Sequence, residues 1–127
     1  MPQIIDPSSV PVLKWGVIGP GGIAEVFVGS VQKHTKQSFL AVASRTPSRA
    51  QEFADKFNIP KVHENYEALV ADPEVDAIYI ASHQGDHFEH AMLALRAGKH
   101  ILVEKPITYF AHQAKELFDF AKRHNLL

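Results

Sequence analysis

Short runs of apolar residues alternate along the chain with segments in which apolar residues recur at helical spacing. The apolar runs occupy residues 15–18, 38–43, 77–81 and 100–103, and residues 61–63 are expected to form a further short strand. Such runs are typical of buried strands, and the segments between them are typical of amphipathic helices. The order βαβαβαβαβα therefore predicts an α/β protein with a doubly wound parallel sheet of the Rossmann type, in three αβα layers. Trp15 and Tyr79, which lie within these runs, are expected to pack in the core.

Residues with capping side chains predict where several helices begin. The side chain of Thr, Asn or Asp can accept a hydrogen bond from a free backbone N–H at a helix N-terminus. Such residues stand at Thr46, Asn65, Asp86 and Thr108, and Glu89 would complete a capping box after Asp86. Gly98 is expected to end the fourth helix. The last helix is expected to face inward through Ala111, Ala114, Leu117, Phe118 and Ala121.

No repeat or linker interrupts this alternation, so residues 13–127 are predicted to form a single Rossmann domain. Residues 1–12, with three prolines, are expected to form a flexible arm. A sixth strand would complete the doubly wound fold, and the chain ends where that strand would begin. We therefore expect a domain truncated before its sixth strand.

Composition restricts the classes of function. The 127 residues carry a net charge of −1, so the chain lacks the basic face that binding to a nucleic-acid backbone requires. The absence of cysteine excludes disulfides, a thiolate nucleophile and cysteine-ligated zinc. The first residues do not resemble a secretory signal, and no apolar stretch approaches membrane-spanning length. We expect a cytoplasmic protein that binds neither nucleic acid nor membranes.

A glycine-rich loop lies between the first predicted strand and the first predicted helix. It consists of Gly19, Pro20, Gly21, Gly22, Ile23 and Ala24. In this G-x-G-x-x-A pattern the first glycine permits a tight turn, the second lets a pyrophosphate approach, and the alanine lets the helix pack on the strand. Free N–H groups at the helix N-terminus attract the anion. The loop predicts a dinucleotide site, although a tight turn without a ligand can have the same composition.

The end of the second strand bears on which nucleotide binds. An NAD site usually has Asp or Glu there, whose carboxylate takes the ribose hydroxyls. In this chain Ser44 and Arg45 occupy the place, and Arg49 lies one helical turn further on. A hydroxyl and two guanidinium groups suit a 2′-phosphate, so NADP(H) is the preferred cofactor and NAD(H) the alternative. The other interpretation is that both arginines are solvated residues at a helix start.

Lys105 follows the fifth strand, within the segment Glu104-Lys105-Pro106. Because ligands of open α/β sheets bind beyond the carboxyl ends of the strands, these three residues are expected to face the nicotinamide end of the cofactor. Lys105 is the candidate catalytic group, since an amine there can exchange a proton with a substrate hydroxyl or stabilise developing negative charge. Pro106 holds the lysine backbone extended and is a candidate for a cis bond. The alternative is a surface salt bridge between Lys105 and Glu104.

The segment after the fourth strand is expected to border the same crevice and to contact the nicotinamide ribose or carboxamide. Its candidate residues are Ala81, Ser82, His83, Gln84 and His87. His83, His87 and His90 lie close in sequence to Asp86 and Glu89, which would also suit zinc. No HExxH pattern and no thiolate supports a metal, so we predict none.

Four segments carry a family resemblance. They are residues 15–24, 42–45, 72–80 and 97–106, of which the last, Ala97-Gly98-Lys99-His100-Ile101-Leu102-Val103-Glu104-Lys105-Pro106, is the most specific. Together they resemble the N-terminal NAD(P)-binding domain of the glucose–fructose oxidoreductase, inositol dehydrogenase and rhizopine-catabolism (Gfo/Idh/MocA) family. The resemblance covers residues 14–127. Within the family, the chain resembles the dihydrodiol and sugar dehydrogenases that use NADP.

The resemblance implies an oxidoreductase that transfers hydride between NADP(H) and a secondary alcohol or ketone of a sugar, cyclitol or dihydrodiol. Lys105 matches the family's catalytic lysine, and His87 keeps its place in the motif Thr-Pro-Asn-x-x-His. His83 and Gln84 depart from that motif, which puts the nicotinamide contacts there in doubt. Family members continue into a second domain that binds the polyol or sugar substrate.

Because we expect that C-terminal substrate domain to be lacking here, we expect the chain to bind cofactor without turning over substrate. The uncovered sheet edge would then favour self-association. The residues themselves leave two alternatives to an oxidoreductase domain. One is a stand-alone regulatory Rossmann module that senses NAD(P), which leaves Glu104-Lys105-Pro106 without a role. The other is a scaffold that has lost its ligand.

Overall fold

Five parallel strands form the centre of the molecule in a computed structural model that describes residues 1–127. They are Lys14–Ile18 (β1), Ser38–Ala43 (β2), Lys61–Val62 (β3), Ala77–Ile80 (β4) and His100–Val103 (β5). Their order in the sheet is β3-β2-β1-β4-β5. The chain therefore crosses from one edge of the sheet to the other side of β1 between β3 and β4. This reversal places a crevice at the carboxyl ends of β1 and β4, where open α/β sheets bind ligands.

Five α-helices connect and cover the strands. They are Gly22–His34 (α1), Pro47–Phe57 (α2), Tyr66–Val70 (α3), His87–Arg96 (α4) and Ala111–Arg123 (α5), and short 3₁₀ turns lie at Pro7–Ser9 and Gln84–Asp86. The sequence prediction of a three-layer Rossmann-type sheet is confirmed. None of the helices is both long and apolar enough to cross a membrane.

The middle strands β1, β2 and β4 are mostly apolar because both faces of the sheet are covered there. Neighbouring side chains of a strand point to opposite faces, so Val17 packs in the core cluster of α1 and α2, and Ile18 packs in the cluster of α3, α4 and α5. In the same way Tyr79 lies on the first face, whereas Ile78 and Ile80 lie on the second. This double burial is why the strand runs show no alternation of polar and apolar residues.

Two of the predicted helix boundaries are confirmed in detail. The Oδ1 atom of Asn65 accepts a hydrogen bond of 2.7 Å from the Ala68 N–H and so caps α3. Gly98 follows the end of α4 with φ of +80°, the left-handed conformation that glycine adopts most readily. Thr46 stands at the N-cap of α2 as expected, but its side chain makes no capping hydrogen bond.

One further cap has the predicted position without its hydrogen bond, and another is wrong. Asp86 is the N-cap residue of α4, as predicted, but its side chain makes no capping hydrogen bond. The capping box with Glu89 therefore does not form. Thr108 lies before the start of α5, and its hydroxyl donates to the carbonyl oxygen of Phe110 at 2.8 Å. At α5 an irregular turn moves the helix start past Thr108, so that Phe110 is the N-cap residue instead.

The buried stripe of α5 is narrower than its sequence predicts. Leu117 is 3% exposed, but Phe118 is 61% exposed, and Ala111 is also exposed. Ala121 is half-buried against the core as predicted, and Phe120, which was not predicted to face inward, is half-buried there too. Because consecutive helix positions differ by 100°, a contact centred on Leu117 leaves Phe118 outside it.

The two ends of the chain lie at the surface in different ways. Residues 1–12 are all exposed, and the carbonyl oxygen of Pro11 accepts a hydrogen bond from Nε2 of Gln37. At the other end, the Ile101 N–H of β5 donates to the carbonyl oxygen of Leu127 at 2.8 Å. The last residue thus pairs with the edge of β5.

Candidate functional site

The carboxyl ends of β1, β2 and β4 open onto one groove with a cavity volume of about 380 Å³. Eleven residues that the sequence singled out line it: Gly19, Pro20, Gly21, Gly22, Ile23, Ser44, Arg45, Arg49, Ala81, Ser82 and His83. The groove is also lined by three residues that were not among the predicted cofactor contacts, Thr46, Tyr66 and Asp86. The position of Thr46 in the groove could have been predicted from the sequence, since it adjoins Arg45. The position of Tyr66 could not, because only the fold brings α3 to the end of β2.

Gly19 is required by the backbone around it. Its φ is +86°, and a Cβ atom there would lie 2.4 Å from the Ser82 backbone nitrogen. The loop after β1 therefore packs directly against the loop after β4, and any side chain would separate them. This contact is a second reason for glycine, beyond the tight turn that the sequence predicts.

Gly21 and Gly22 border open space, whereas Gly19 is packed against protein atoms. A Cβ atom at either position would meet nothing within 4 Å. Gly21 is the N-cap of α1 and has no side chain to accept from the first helical N–H groups. These groups therefore face a groove with room for an anion. Ala24 is fully buried and lies outside the groove lining, which fits a packing contact between α1 and the sheet.

The end of β2 presents positive charge to the groove. Arg45 and Arg49 both line it, and neither guanidinium makes an ion pair. The Ser44 Oγ beside them accepts a hydrogen bond from the Thr46 N–H at 3.1 Å. Opposite, burial raises the pKa of the Tyr66 hydroxyl, an effect that Arg45 partly opposes. Two unneutralised cations with neutral hydroxyl groups form a site for an anion such as a phosphate.

A second groove, of about 260 Å³, continues the first toward β5. Ile23, Ala81 and Ser82 line both, and the second adds Gln84, His87, Glu104 and Lys105. The two grooves thus form one cleft that runs from the arginines at the end of β2 to the lysine at the end of β5. A cleft that joins an anion site to a candidate catalytic group is the arrangement that a dinucleotide-dependent enzyme needs.

Lys105 lines the second groove without an ionic partner. The salt bridge with Glu104 that was its alternative interpretation is absent. The Glu104 carboxylate accepts from the Tyr79 hydroxyl at 2.8 Å and from the Lys105 N–H at 3.3 Å. The Lys105–Pro106 peptide bond is cis. The ammonium is therefore left for a ligand in the groove.

Tyr79 packs in the core, as the sequence predicts. The sequence did not predict the hydrogen bond from its hydroxyl to Glu104. The residue is 1% exposed, and its ring stacks on Phe27 of α1 at 4.2 Å between ring centres. The signal was the residue type itself, because a buried tyrosine needs a hydrogen-bond partner where phenylalanine would not.

His87 ties together the two loops that flank Lys105. It is 2% exposed, its Nδ1 lies 2.7 Å from the carbonyl oxygen of Pro106, and its Nε2 lies 2.9 Å from that of Ser82. Pro106 itself lines neither groove. Because backbone oxygens occupy both ring nitrogens, the geometry supports a role for His87 in holding the loops.

The three neighbouring histidines face separate partners. His83 accepts from the Gly85 N–H, and His87 lies between two carbonyl oxygens. Nδ1 of His90 lies 2.6 Å from the Ser82 hydroxyl, and burial lowers the pKa of His90. No group of three or more His, Cys, Asp or Glu side chains is arranged to hold a metal ion.

Comparisons with known proteins agree with this geometry. The family model described as the oxidoreductase family with an NAD-binding Rossmann fold (GFO_IDH_MocA) matches residues 13–127. The D-xylose 1-dehydrogenase (NADP⁺) of Hypocrea jecorina is 40% identical over 90% of this chain and 32% of its own. The trans-1,2-dihydrobenzene-1,2-diol dehydrogenase of Mus musculus is 42% identical over 83% of this chain and 32% of its own.

A solved structure shares the fold at similar identity. The 3-ketoreductase KijD10 of Actinomadura kijaniata, in complex with TDP-benzene and NADP, superposes with a TM-score of 0.86 at 37% identity. The match covers 92% of this chain and 37% of that protein. The chain spans about a third of the length of the curated relatives it matches. The fold, the glycine loop and the match over residues 13–127 together place the chain in the Gfo/Idh/MocA oxidoreductase family, as its NAD-binding Rossmann domain.

Proposed function

We propose that this chain binds NADP(H) as the nucleotide-binding part of an oxidoreductase that interconverts a secondary alcohol and its ketone. The observation that carries the proposal is the single cleft between two unpaired arginines at one end and an unpaired lysine at the other. A dinucleotide has a charged phosphate end and a reactive ring end, and the cleft offers each of them a suitable group.

The glycine loop would hold the pyrophosphate between these ends. The open space at Gly21 and Gly22 lets phosphate oxygens approach the N-terminus of α1, where backbone N–H groups and the helix dipole favour negative charge. Ala81, Ser82, His83 and Gln84 would border the ribose and carboxamide, since they lie on the cleft between the loop and Lys105.

The preference for NADP(H) rests on the end of β2. A 2′-phosphate would meet Arg45, Arg49 and the Ser44 hydroxyl, whereas no carboxylate at that strand end competes for the ribose hydroxyls. The H. jecorina relative is an NADP⁺ enzyme, and KijD10 was solved with NADP. Both support the assignment. NAD(H) would lose the phosphate contact and bind more weakly.

Lys105 would move the proton in the reaction. A bound nicotinamide would take hydride from the carbinol carbon during oxidation and return it to the ketone carbon during reduction. A neutral Lys105 Nζ would accept the hydroxyl proton during oxidation, and its ammonium form would donate that proton to the forming alkoxide during reduction. His87 and Glu104 hold the loop that carries the lysine, through the contacts at Pro106 and at the Lys105 N–H.

We place the substrate among the sugars, cyclitols and dihydrodiols, because the named relatives include xylose and dihydrodiol dehydrogenases. Residues outside this chain would hold it. Leu102 on the edge strand β5 and Phe118 on α5 are exposed apolar side chains, which supports self-association as a prediction. The cytoplasmic location also stays a prediction.

Replacement of Lys105 tests the proposed chemistry. In the complete enzyme, with a substrate domain and assayed with NADP⁺ and D-xylose or a trans-dihydrodiol, Lys105→Ala should lower kcat by about 10²- to 10⁴-fold, because it removes the acid–base group. The dissociation constant for NADP⁺ should change little. Lys122→Ala, which removes an exposed lysine at the end of α5, is the matched control.

Full turnover in Lys105→Ala would refute the role of the lysine. If the complete protein bound NADP(H) but reacted with no alcohol or ketone, the stand-alone sensing module would become the better account.

A further inference from the structure

A buried hydrogen bond fixes a carboxylate at the reactive end of the cleft. The Tyr79 hydroxyl donates to Oε1 of Glu104 over 2.8 Å, from a side chain that the sheet and Phe27 hold in place. Burial, together with the adjacent Glu104, raises the pKa of Tyr79, so its hydroxyl keeps the proton that it donates. A phenylalanine would pack equally well in this strand. The hydroxyl is therefore explained only by its bond to Glu104.

The charge on this carboxylate has no cationic partner. Oε2 of Glu104 accepts from the Lys105 N–H at 3.3 Å, so both oxygens act as acceptors, as in the ionised group. No Lys, Arg or His forms a salt bridge with it. Glu104 lines the second groove beside Lys105, and the imidazole of His87 borders the same groove while it lies between two backbone oxygens.

The two redox forms of a nicotinamide differ in charge, which makes an unpaired carboxylate able to distinguish them. The oxidised ring is a cation and the reduced ring is neutral. We propose that the Tyr79–Glu104 pair holds a fixed negative charge beside the nicotinamide and so favours binding of oxidised NADP⁺ over NADPH. The inference rests on the proposed function, because it needs the nicotinamide in the second groove.

This preference would act on the chemistry through the bound cofactor. A site that binds the oxidised form more tightly makes the bound reduced form a stronger hydride donor, and a tenfold ratio corresponds to about 30 mV for a two-electron couple. The Lys105 ammonium opposes the effect when it is charged, since it repels the oxidised ring. Glu104 would be the residue that sets the preference, and Tyr79 a positioning residue that keeps the carboxylate in the groove.

Calorimetric titration of the chain with NADP⁺ and NADPH tests the inference. Glu104→Gln keeps the shape and removes the charge, and we expect it to shift the ratio of the two dissociation constants about tenfold toward NADPH. Tyr79→Phe should shift the ratio in the same direction by a smaller factor, because the carboxylate remains but can turn away. Glu116→Gln, an equal loss of charge on the exposed surface of α5, should leave the ratio unchanged.

The outcomes separate this inference from the proposed function. If Glu104→Gln binds both forms with the native ratio, the inference is wrong and NADP(H) binding stands. If the native chain binds neither form, both fail. Because Tyr79 is buried, Tyr79→Phe counts only if its melting curve matches that of the native chain. Glu104→Gln, at a partly exposed position, tests the effect of the charge on the ratio independently of Tyr79→Phe.

Discussion

Gly19 and Gly21 lie two positions apart in the loop after β1, yet the structure gives them different tasks. Gly19 permits contact between two protein loops, since its Cβ would meet the backbone of Ser82 at 2.4 Å. Gly21 faces open space at the start of α1. One glycine therefore serves the fold, and the other leaves room for a ligand.

Alanine substitutions separate these tasks. Gly19→Ala combines a left-handed φ with a backbone clash and should lower the free energy of unfolding by about 2 to 4 kcal/mol. Gly21→Ala has an extended backbone and no neighbour, so its stability should stay within about 1 kcal/mol of native while its affinity for NADPH falls. Denaturant titrations and calorimetry measure the two quantities. Equal stability of the two variants would show that the contact with Ser82 is not close.

The positions of the candidate residues were predictable from the sequence where they depended on a local pattern. The glycine loop, Arg45 and Lys105 all lie on the cleft because strand ends fix their positions. Contacts between distant segments were not predictable in this way. The bond from Tyr79 to Glu104 spans 25 positions in sequence, and only the pairing of β4 with β5 brings the two residues together.

At the scale of the elements, a buried ionic cluster joins β3 to the segment that enters β4. Asp72 lies at its centre with a side chain that is 4% exposed. Its Oδ2 lies 3.1 Å from Nζ of Lys61 and 2.9 Å from Nε2 of His63, and its Oδ1 accepts from the Glu74 N–H. Nζ of Lys99 donates to the Asp72 carbonyl oxygen from the other side. The cluster holds the edge of the sheet opposite β5.

This cluster predicts a loss of stability in acid. Burial alone would raise the pKa of Asp72, but the hydrogen bonds from Glu74, His63 and Lys61 outweigh it and lower the pKa to about 2. A lowered pKa stabilises the folded state above the unfolded value near 4, and this stabilisation is lost as the pH falls from about 4 to 2. We expect the ionised Asp72 carboxylate to contribute about 1 to 2 kcal/mol to the free energy of unfolding above pH 4.

Denaturant titrations at pH 5 and pH 2.5 would measure this contribution. Asp72→Asn should be less stable than the native chain at pH 5, and the gap should narrow at pH 2.5. Asp55→Asn on the exposed face of α2 is the control and should follow the native pH dependence. A gap of the same size at both pH values would contradict the role of the ionised carboxylate.

The elements themselves were predicted well because their signals are periodic and local. All five strands and five helices occur in the expected order. The errors lie at helix ends and on helix faces. Thr108 has the chemistry of a cap, but a turn moves the start of α5 to Ala111. Phe118 fits the apolar pattern but lies outside the contact centred on Leu117. Both depend on how neighbouring segments pack, which a single-sequence pattern does not contain.

At the scale of the whole molecule, the fold collects residues from four strand ends along one side of the sheet. Arg45 follows β2, Gly19 follows β1, Ser82 follows β4 and Lys105 follows β5. Their order across the cleft follows from the strand order, because the carboxyl ends of parallel strands meet at one edge. The positions of the charged groups at the two ends of the cleft support a dinucleotide with a 2′-phosphate.

Whether a 2′-phosphate binds at the end of β2 can be measured by calorimetric titration of the native chain with NADPH and NADH side by side. We expect NADPH to bind at least about tenfold more tightly, because only NADPH carries the phosphate that Arg45 and Arg49 would contact. The paired variant Arg45→Ala/Arg49→Ala should bring the two affinities together. Equal or tighter binding of NADH by the native chain would contradict the phosphate site, and no binding of either nucleotide would contradict the cleft as a cofactor site.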